Sequence, residues 1–130
     1  MPYRIRVVKI GGNVVDNPEA LATFVSDFKR LAGPKILVHG GGKEATRLSA
    51  ALGIETHMIE GRRVTDADTL DVVTMVYAGL INKRIVARMQ AIGLDAIGLS
   101  GADAGLVTAS RRSPVPVDYG FVGDIDPMDV

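Results

Sequence analysis

The chain has 130 residues, 47% of them apolar, and its fifteen basic residues balance fifteen acidic ones. That is enough for one domain with a sizeable core, and the zero net charge argues against a nucleic-acid or membrane-surface role driven by bulk charge. The chain lacks cysteine, which excludes disulfides and thiolate metal sites, and its two histidines, His39 and His57, do not suggest a structural zinc.

No apolar core follows the basic N-terminal residues as in a signal peptide, and no apolar run reaches the ~20 residues of a bilayer span, so the expected location is cytoplasmic. Residues 4–10 read as a strand: Arg4 and Arg6 alternate with Ile5 and Val7, and the segment then turns mostly apolar. Lys9 interrupts that apolar stretch just before Gly11-Gly12. One reading is a snorkelling surface lysine. The other is an ammonium aimed at an anion held over the glycines. Asn17 is a good N-cap with Pro18 at the first helical position, and Leu21, Phe24, Val25, Phe28 and Leu31 give the helix one apolar face. Gly33-Pro34 stops it, and residues 35–39 form a second strand running into Gly40-Gly41-Gly42. A helix from Lys43 to about Leu52 follows, ended by Gly53. Strand, helix, strand, helix is the signature of a βαβ unit with parallel strands.

Residues 56–65 predict a short hairpin turning at Glu60-Gly61, with His57 an exposed strand residue. Arg62 and Arg63 then point to opposite faces, so only one can serve a site beside the first two strand ends. Thr65 or Asp66 caps the next helix. From Leu70 to Ile81 that helix is apolar on nearly every side, so one face packs on the sheet and the other on a second subunit. Gly79 marks a break before an amphipathic helix over 82–92. Residues 96–99 read as a third apolar strand entering a glycine turn at Ser100-Gly101. Leu106–Ala109 and Tyr119–Gly123 read as two further strands, joined by a loop with Pro114 and Pro116. Arg111 and Arg112 are expected to be solvated.

Three strands each running into glycine would place three turns along the carboxyl edge of a parallel sheet, where open α/β sheets bind ligands. Bare amides, Lys9 and one of Arg62 and Arg63 would together suit an anion such as phosphate or carboxylate. Two phosphate motifs are excluded. Glu44 stands where a P-loop needs Ser or Thr, and Gly11-Gly12 is followed by Asn13-Val14-Val15 rather than by the dinucleotide fingerprint.

Taken in order, Val8-Lys9-Ile10-Gly11-Gly12, Val38-His39-Gly40-Gly41-Gly42, Gly61-Arg62-Arg63-Val64-Thr65 and Gly98-Leu99-Ser100-Gly101 resemble the amino-acid kinase family in residues and spacing. The resemblance implies a three-layer αβα sandwich with a mainly parallel open sheet. Residues 1–130 would be its N-terminal acyl-amino-acid-binding lobe, without the C-terminal nucleotide-binding lobe. It also implies MgATP as co-substrate, no tightly bound protein-ligated metal, and phosphorylation of the side-chain carboxylate of N-acetyl-L-glutamate, the second step of arginine biosynthesis. On the family pattern Lys9 is catalytic, stabilising the transferring phosphoryl group. Gly11 and Gly12 offer amides to the ATP phosphates. Gly41 and Gly42 bind the acyl-amino acid through N–H groups, and Arg63 pairs with its α-carboxylate. The pattern further implies a homodimer through helix 66–81 and, with no helix before the first strand, no arginine feedback. Two alternatives stay open. One is a sister kinase acting on N-succinylglutamate, aminoadipate, carbamate or aspartate. The other is a non-catalytic amino-acid-binding module.

Overall fold

The computed structural model describes residues 4–127. Arg6–Ile10 forms strand β1 and Lys35–His39 forms strand β2, where the apolar runs predict them. They pair in parallel, Arg6 beside Lys35 and Ile10 beside His39, so both strands end at one edge and each leads into glycine. Between them lie a single-turn helix α1, Gly12–Val15, and helix α2, Pro18–Arg30. The sequence did not announce α1. The start of α2 follows local chemistry: Asn17 Oδ1 accepts from the Glu19 and Ala20 N–H groups at 3.0 Å each, and Pro18 sits where no helical N–H is needed. Lys35 Nζ closes the other end, donating to the Lys29 and Leu31 carbonyls at 3.0 and 2.7 Å.

Helix α3, Gly42–Ala51, follows β2 and is stopped by Gly53 at φ +73°. Strands β3, Met58–Ile59, and β4, Arg62–Arg63, form the expected antiparallel hairpin. Its turn takes Glu60 and Gly61 through φ 49° and 75°, the backbone that a two-residue hairpin requires. Asp66 then caps helix α4, Ala67–Thr74, accepting the Thr69 N–H at 2.8 Å. The expected break at Gly79 does not occur. The helix widens instead into a π-helical segment, Met75–Ile81, and continues as α5, Asn82–Ala91.

Side chains alternate across β1 and β2, so the two faces of this pair differ. From one face, Ile10 enters a single core with Leu21, Val25 and Phe28 of α2, Ala45 of α3, and Val72, Val76, Ile81, Ile85 and Met89 of the long helix. The other face presents Val7, Lys9, Ile36 and Val38, and it is bare: Val7 is 65% exposed and Ile36 50%. The architecture is therefore α/β with a parallel strand pair and helices packed on one face. Among the described residues no second helical layer covers the other.

The third strand read at residues 96–99 does not form. Its carbonyls are taken by side chains of α5 rather than by a ladder: Gln90 Nε2 donates to Ala96 O at 3.3 Å, Lys83 Nζ to Gly98 O at 2.9 Å and Asn82 Nδ2 to Leu99 O at 3.2 Å. The two C-terminal strands do form, but shifted along the chain. They are β5, Ala109–Arg111, and β6, Gly123–Ile125, antiparallel, with a 3₁₀ turn at Asp103–Gly105 before them. Tyr119–Phe121, read as strand, instead docks on the approach to α4, where Thr65 N–H donates to Tyr119 O at 2.9 Å and Phe121 N–H to Thr65 O at 2.7 Å. Arg111 and Arg112 are ion-paired rather than simply solvated, with Asp118 and Asp124 respectively. The Arg112 guanidinium holds the Asp124 carboxyl below the usual carboxylate range.

Candidate functional site

The parallel register puts the Gly11-Gly12 and Gly40–Gly42 turns side by side at the carboxyl ends of β1 and β2. Lys43 links them, its Nζ reaching Asn13 Oδ1 at 3.4 Å. Sequence reasoning passed over Lys43. Its place straight after a glycine turn was the available signal. Gly11 is exposed, and a side chain there would meet nothing within 4 Å, so the backbone at this turn is open to a ligand. Gly41 differs. It is buried, and a Cβ on it would fall 2.2 Å from Ile81 Cδ1 and 3.1 Å from Tyr77 Cδ1, so packing against the π-helical segment already demands glycine. Gly42 opens α3, and the first-turn N–H groups of a helix have no partner within the helix itself.

Of the two adjacent arginines, Arg62 is exposed and Arg63 turns inward. The Arg63 guanidinium donates to Thr56 Oγ1 at 3.1 Å, to Gly42 O at 3.1 Å and to Thr46 Oγ1 at 2.8 Å. Two of its five N–H donors, both on Nη2, thus clamp the hairpin to Gly42 and Thr46 of α3, a third on Nη1 holds Thr56 just before β3, and Nε–H and one Nη1–H remain for a ligand. Lys9 is exposed on the bare face of β1, with Val38 as its register neighbour, two residues before the glycines. It stands outside the hydrogen-bonded set around Arg63. Gly101 and Ser100 are not on a strand end. The Leu99 and Gly98 carbonyls beside them are tied to the start of α5 through Asn82 and Lys83. Asn82 Nδ2 also lies 3.5 Å from His39 Nε2 at the end of β2, so the third glycine turn is joined to the second by side chains and not by a sheet. Asn82 is a further residue that the sequence alone did not single out.

A recess of about 420 Å³ opens beside Arg63, lined by Arg62, Arg63, Thr65, Leu70, Val73, Tyr77, Arg112, Phe121 and Val122. Its walls are apolar apart from Thr65 and the three arginines. Among the described residues no three His, Cys, Asp or Glu side chains gather to hold a metal ion, and no helix is long and apolar enough to cross a membrane. The arrangement can therefore hold an anionic ligand on backbone amides and a preset guanidinium.

Comparison with known proteins bears on this geometry. The model of the amino acid kinase family matches residues 4–129. The chain is 57% identical over 124 residues to an acetylglutamate kinase of Cytophaga hutchinsonii, covering 94% of the chain and 47% of the relative. It is 50% identical over 129 residues to that of Bacteroides thetaiotaomicron, covering 99% and 50%. The chain thus spans about half the length of the curated relatives it matches. Among solved structures, a Streptococcus mutans protein superimposes with a TM-score of 0.79 at 24% identity, covering 96% of this chain and 51% of that one. The N-acetylglutamate synthase of Neisseria gonorrhoeae, solved with coenzyme A and N-acetyl-glutamate, superimposes with a TM-score of 0.71 at 25% identity, covering 93% and 28%.

Proposed function

The chain belongs to the amino acid kinase family, and on that premise we propose that it is the acyl-amino-acid-binding lobe of an ATP-dependent N-acetylglutamate kinase. The observation that carries the reading is Arg63. Its side chain is braced against Gly42 and Thr46 of α3, with Nε–H and one Nη1–H left over for a ligand. Arginine suits a carboxylate better than lysine does because its planar fork donates two parallel bonds; here that fork needs one Nη2–H to pass from Gly42 O or Thr46 Oγ1 to the substrate.

In this reading the α-carboxylate of N-acetyl-L-glutamate pairs with Arg63, and its acylated nitrogen end lies on the N–H groups of Gly41 and Gly42. ATP brings its phosphates to the Gly11-Gly12 turn as the magnesium complex. A side-chain carboxylate oxygen of the substrate attacks the γ-phosphorus in line. The bond from that phosphorus to the β,γ-bridging oxygen breaks, and its electron pair leaves with ADP. An acyl phosphate results. Lys9 stabilises charge on the transferring group, so catalysis is mostly positioning and electrostatics. The bare face of β1 and β2, which carries Lys9, would be covered by the second helical layer of a three-layer αβα sandwich, alongside a C-terminal nucleotide-binding lobe. A homodimer would form through helix 66–81, where the apolar side chain of Met75 is 52% exposed. The enzyme would act in the cytoplasm, in arginine biosynthesis.

A second reading concerns the acyl group. Arg62 and Arg112 also line the recess beside Arg63, and such walls would accept an acyl group with its own carboxylate, as in N-succinylglutamate. Arg112 is already paired with Asp124, which leaves N-acetylglutamate as the first choice. A coupled assay of ADP release by the full-length gene product would compare N-acetylglutamate, N-succinylglutamate, aminoadipate and aspartate. Turnover with N-acetylglutamate at least tenfold above aspartate is expected. No turnover with either N-acylglutamate would sink the proposal. Lys9→Ala should lower kcat at least a hundredfold with little change in the affinity for N-acetylglutamate.

A further inference from the structure

We propose that Tyr77 decides which acyl chains the site admits; the inference rests on the N-acylglutamate kinase reading and names the residue behind its selectivity. Tyr77 belongs to the π-helical segment, a widened helix that often marks a functional site. Its ring runs along the glycine turn: a Cβ on Gly41 would lie 3.1 Å from Tyr77 Cδ1, and a Cβ on Gly42 would lie 3.9 Å from Tyr77 Oη. The same side chain lines the recess of about 420 Å³ beside Arg63. Arg63 also touches both regions, since it donates to Gly42 O and forms part of the recess wall.

The chemistry of the substrate makes this shared wall matter. In an N-acylglutamate the α-carboxylate and the acylated nitrogen are bonded to the same carbon atom. With the carboxylate on Arg63 and the amide end on the Gly41-Gly42 backbone, the acyl chain has to leave from between them. On the Arg63 side lies the recess, whose wall includes Tyr77, Val73 and Phe121. Tyr77 therefore sets the depth of the recess by its bulk. The phenol hydroxyl contributes little to the choice, because a neutral alkyl chain offers it no partner.

The test uses the full-length gene product and the variants Tyr77→Leu, Tyr77→Ala and Tyr77→Phe, each checked for folding by circular dichroism. For each, kcat/KM is measured with N-acetyl-, N-propionyl- and N-butyryl-L-glutamate, together with KM for ATP. An apolar pocket discriminates a single methylene by roughly tenfold or more. Tyr77→Leu and Tyr77→Ala should therefore raise the butyryl-to-acetyl ratio of kcat/KM at least tenfold, while KM for ATP moves less than twofold. Tyr77→Phe should keep the wild-type ratio within threefold. Should the alanine variant fail to fold because it leaves Gly41 unsupported, the leucine variant carries the test. A folded Tyr77→Leu enzyme with an unchanged ratio overturns the inference and leaves the kinase reading standing, as does a ratio that shifts as far in Tyr77→Phe. A wild-type enzyme that turns over no N-acylglutamate overturns the kinase reading, and the inference falls with it.

Discussion

Replacing Arg63 with alanine separates its two tasks. In the folded chain three of its N–H groups donate to Thr56 Oγ1, Gly42 O and Thr46 Oγ1 at 3.1, 3.1 and 2.8 Å. Each such bond contributes about 1 kcal/mol net, and less where water reaches it, so the variant should lose roughly 1–3 kcal/mol of folding stability. The fork assigned to the substrate carboxylate combines Nε–H or the free Nη1–H with one Nη2–H that passes over from Gly42 O or Thr46 Oγ1. Charge-assisted bonds contribute about 1.5–3 kcal/mol each, and the lower end applies because Arg63 is only half-buried. A loss of about 3 kcal/mol weakens binding of N-acetyl-L-glutamate roughly 100-fold. Titration calorimetry of the full-length gene product gives the affinity, and urea unfolding gives the stability. Arg63→Lys should recover most of the charge but not the fork, and should fall between wild type and Arg63→Ala. Arg62→Ala should change affinity for N-acetyl-L-glutamate less than twofold, because that side chain is exposed. Equal losses at the two positions would refute the assignment. So would an Arg63→Ala protein that is less stable yet binds as tightly as wild type.

Other substitutions probe the frame around the site. The Ser49 hydroxyl is fully buried without a hydrogen-bond partner among the described residues, so Ser49→Ala should leave the urea midpoint unchanged or raise stability by up to about 1 kcal/mol. Gly120 adopts φ +75°, and a Cβ on it would lie 2.2 Å from Thr65 O. Gly120→Ala should therefore break the docking of Tyr119 and Phe121 on Thr65, seen as faster hydrogen exchange at the Phe121 amide. Five carboxyls among the described residues are held below their ordinary range, those of Glu44, Asp66, Asp103, Asp118 and Asp124. The Asp66 carboxyl is held there by hydrogen bonds from the Thr69 side chain and then its N–H, that of Glu44 by the Arg47 hydrogen bond, and that of Asp124 by the Arg112 hydrogen bond. Their contribution is complete above the unfolded carboxyl range and is lost as pH falls through the lowered folded values. The urea midpoint should stay level from pH 7 to about 5 and decline below about 4. Asp66→Asn, which can still cap α4, should flatten part of that decline.

Much of the scaffold was legible because its causes are local. Asn17-Pro18 starts α2, and Glu60-Gly61 supplies the two positive-φ residues of the hairpin. The apolar runs before Gly11 and Gly40 become the parallel pair, because an apolar strand leading into glycine carries its own signal. The failures share a different cause. Residues 96–99 have the composition of a strand, but a strand exists only where a neighbour pairs with it, and Asn82, Lys83 and Gln90 take those carbonyls first. Glycine is costly in a helix, so Gly79 suggests a break, yet the helix runs on through it as a π-helical segment with Val76 and Ile81 buried.

The candidate site divides in the same way. Residue type and period alone place glycine turns after two parallel strands, and from them Lys9 and one of two adjacent arginines are expected near those turns. Packing across the fold makes Arg63 the inward one, held by Thr46 and Thr56. Packing also decides that Gly41 is glycine because Tyr77 and Ile81 press against it, and that Lys43 and Asn82 bind the turns together. Such facts depend on side chains from elements far apart in the chain meeting at one place. No local pattern encodes that meeting, because it is set by how the helices pack on a single face of the strand pair.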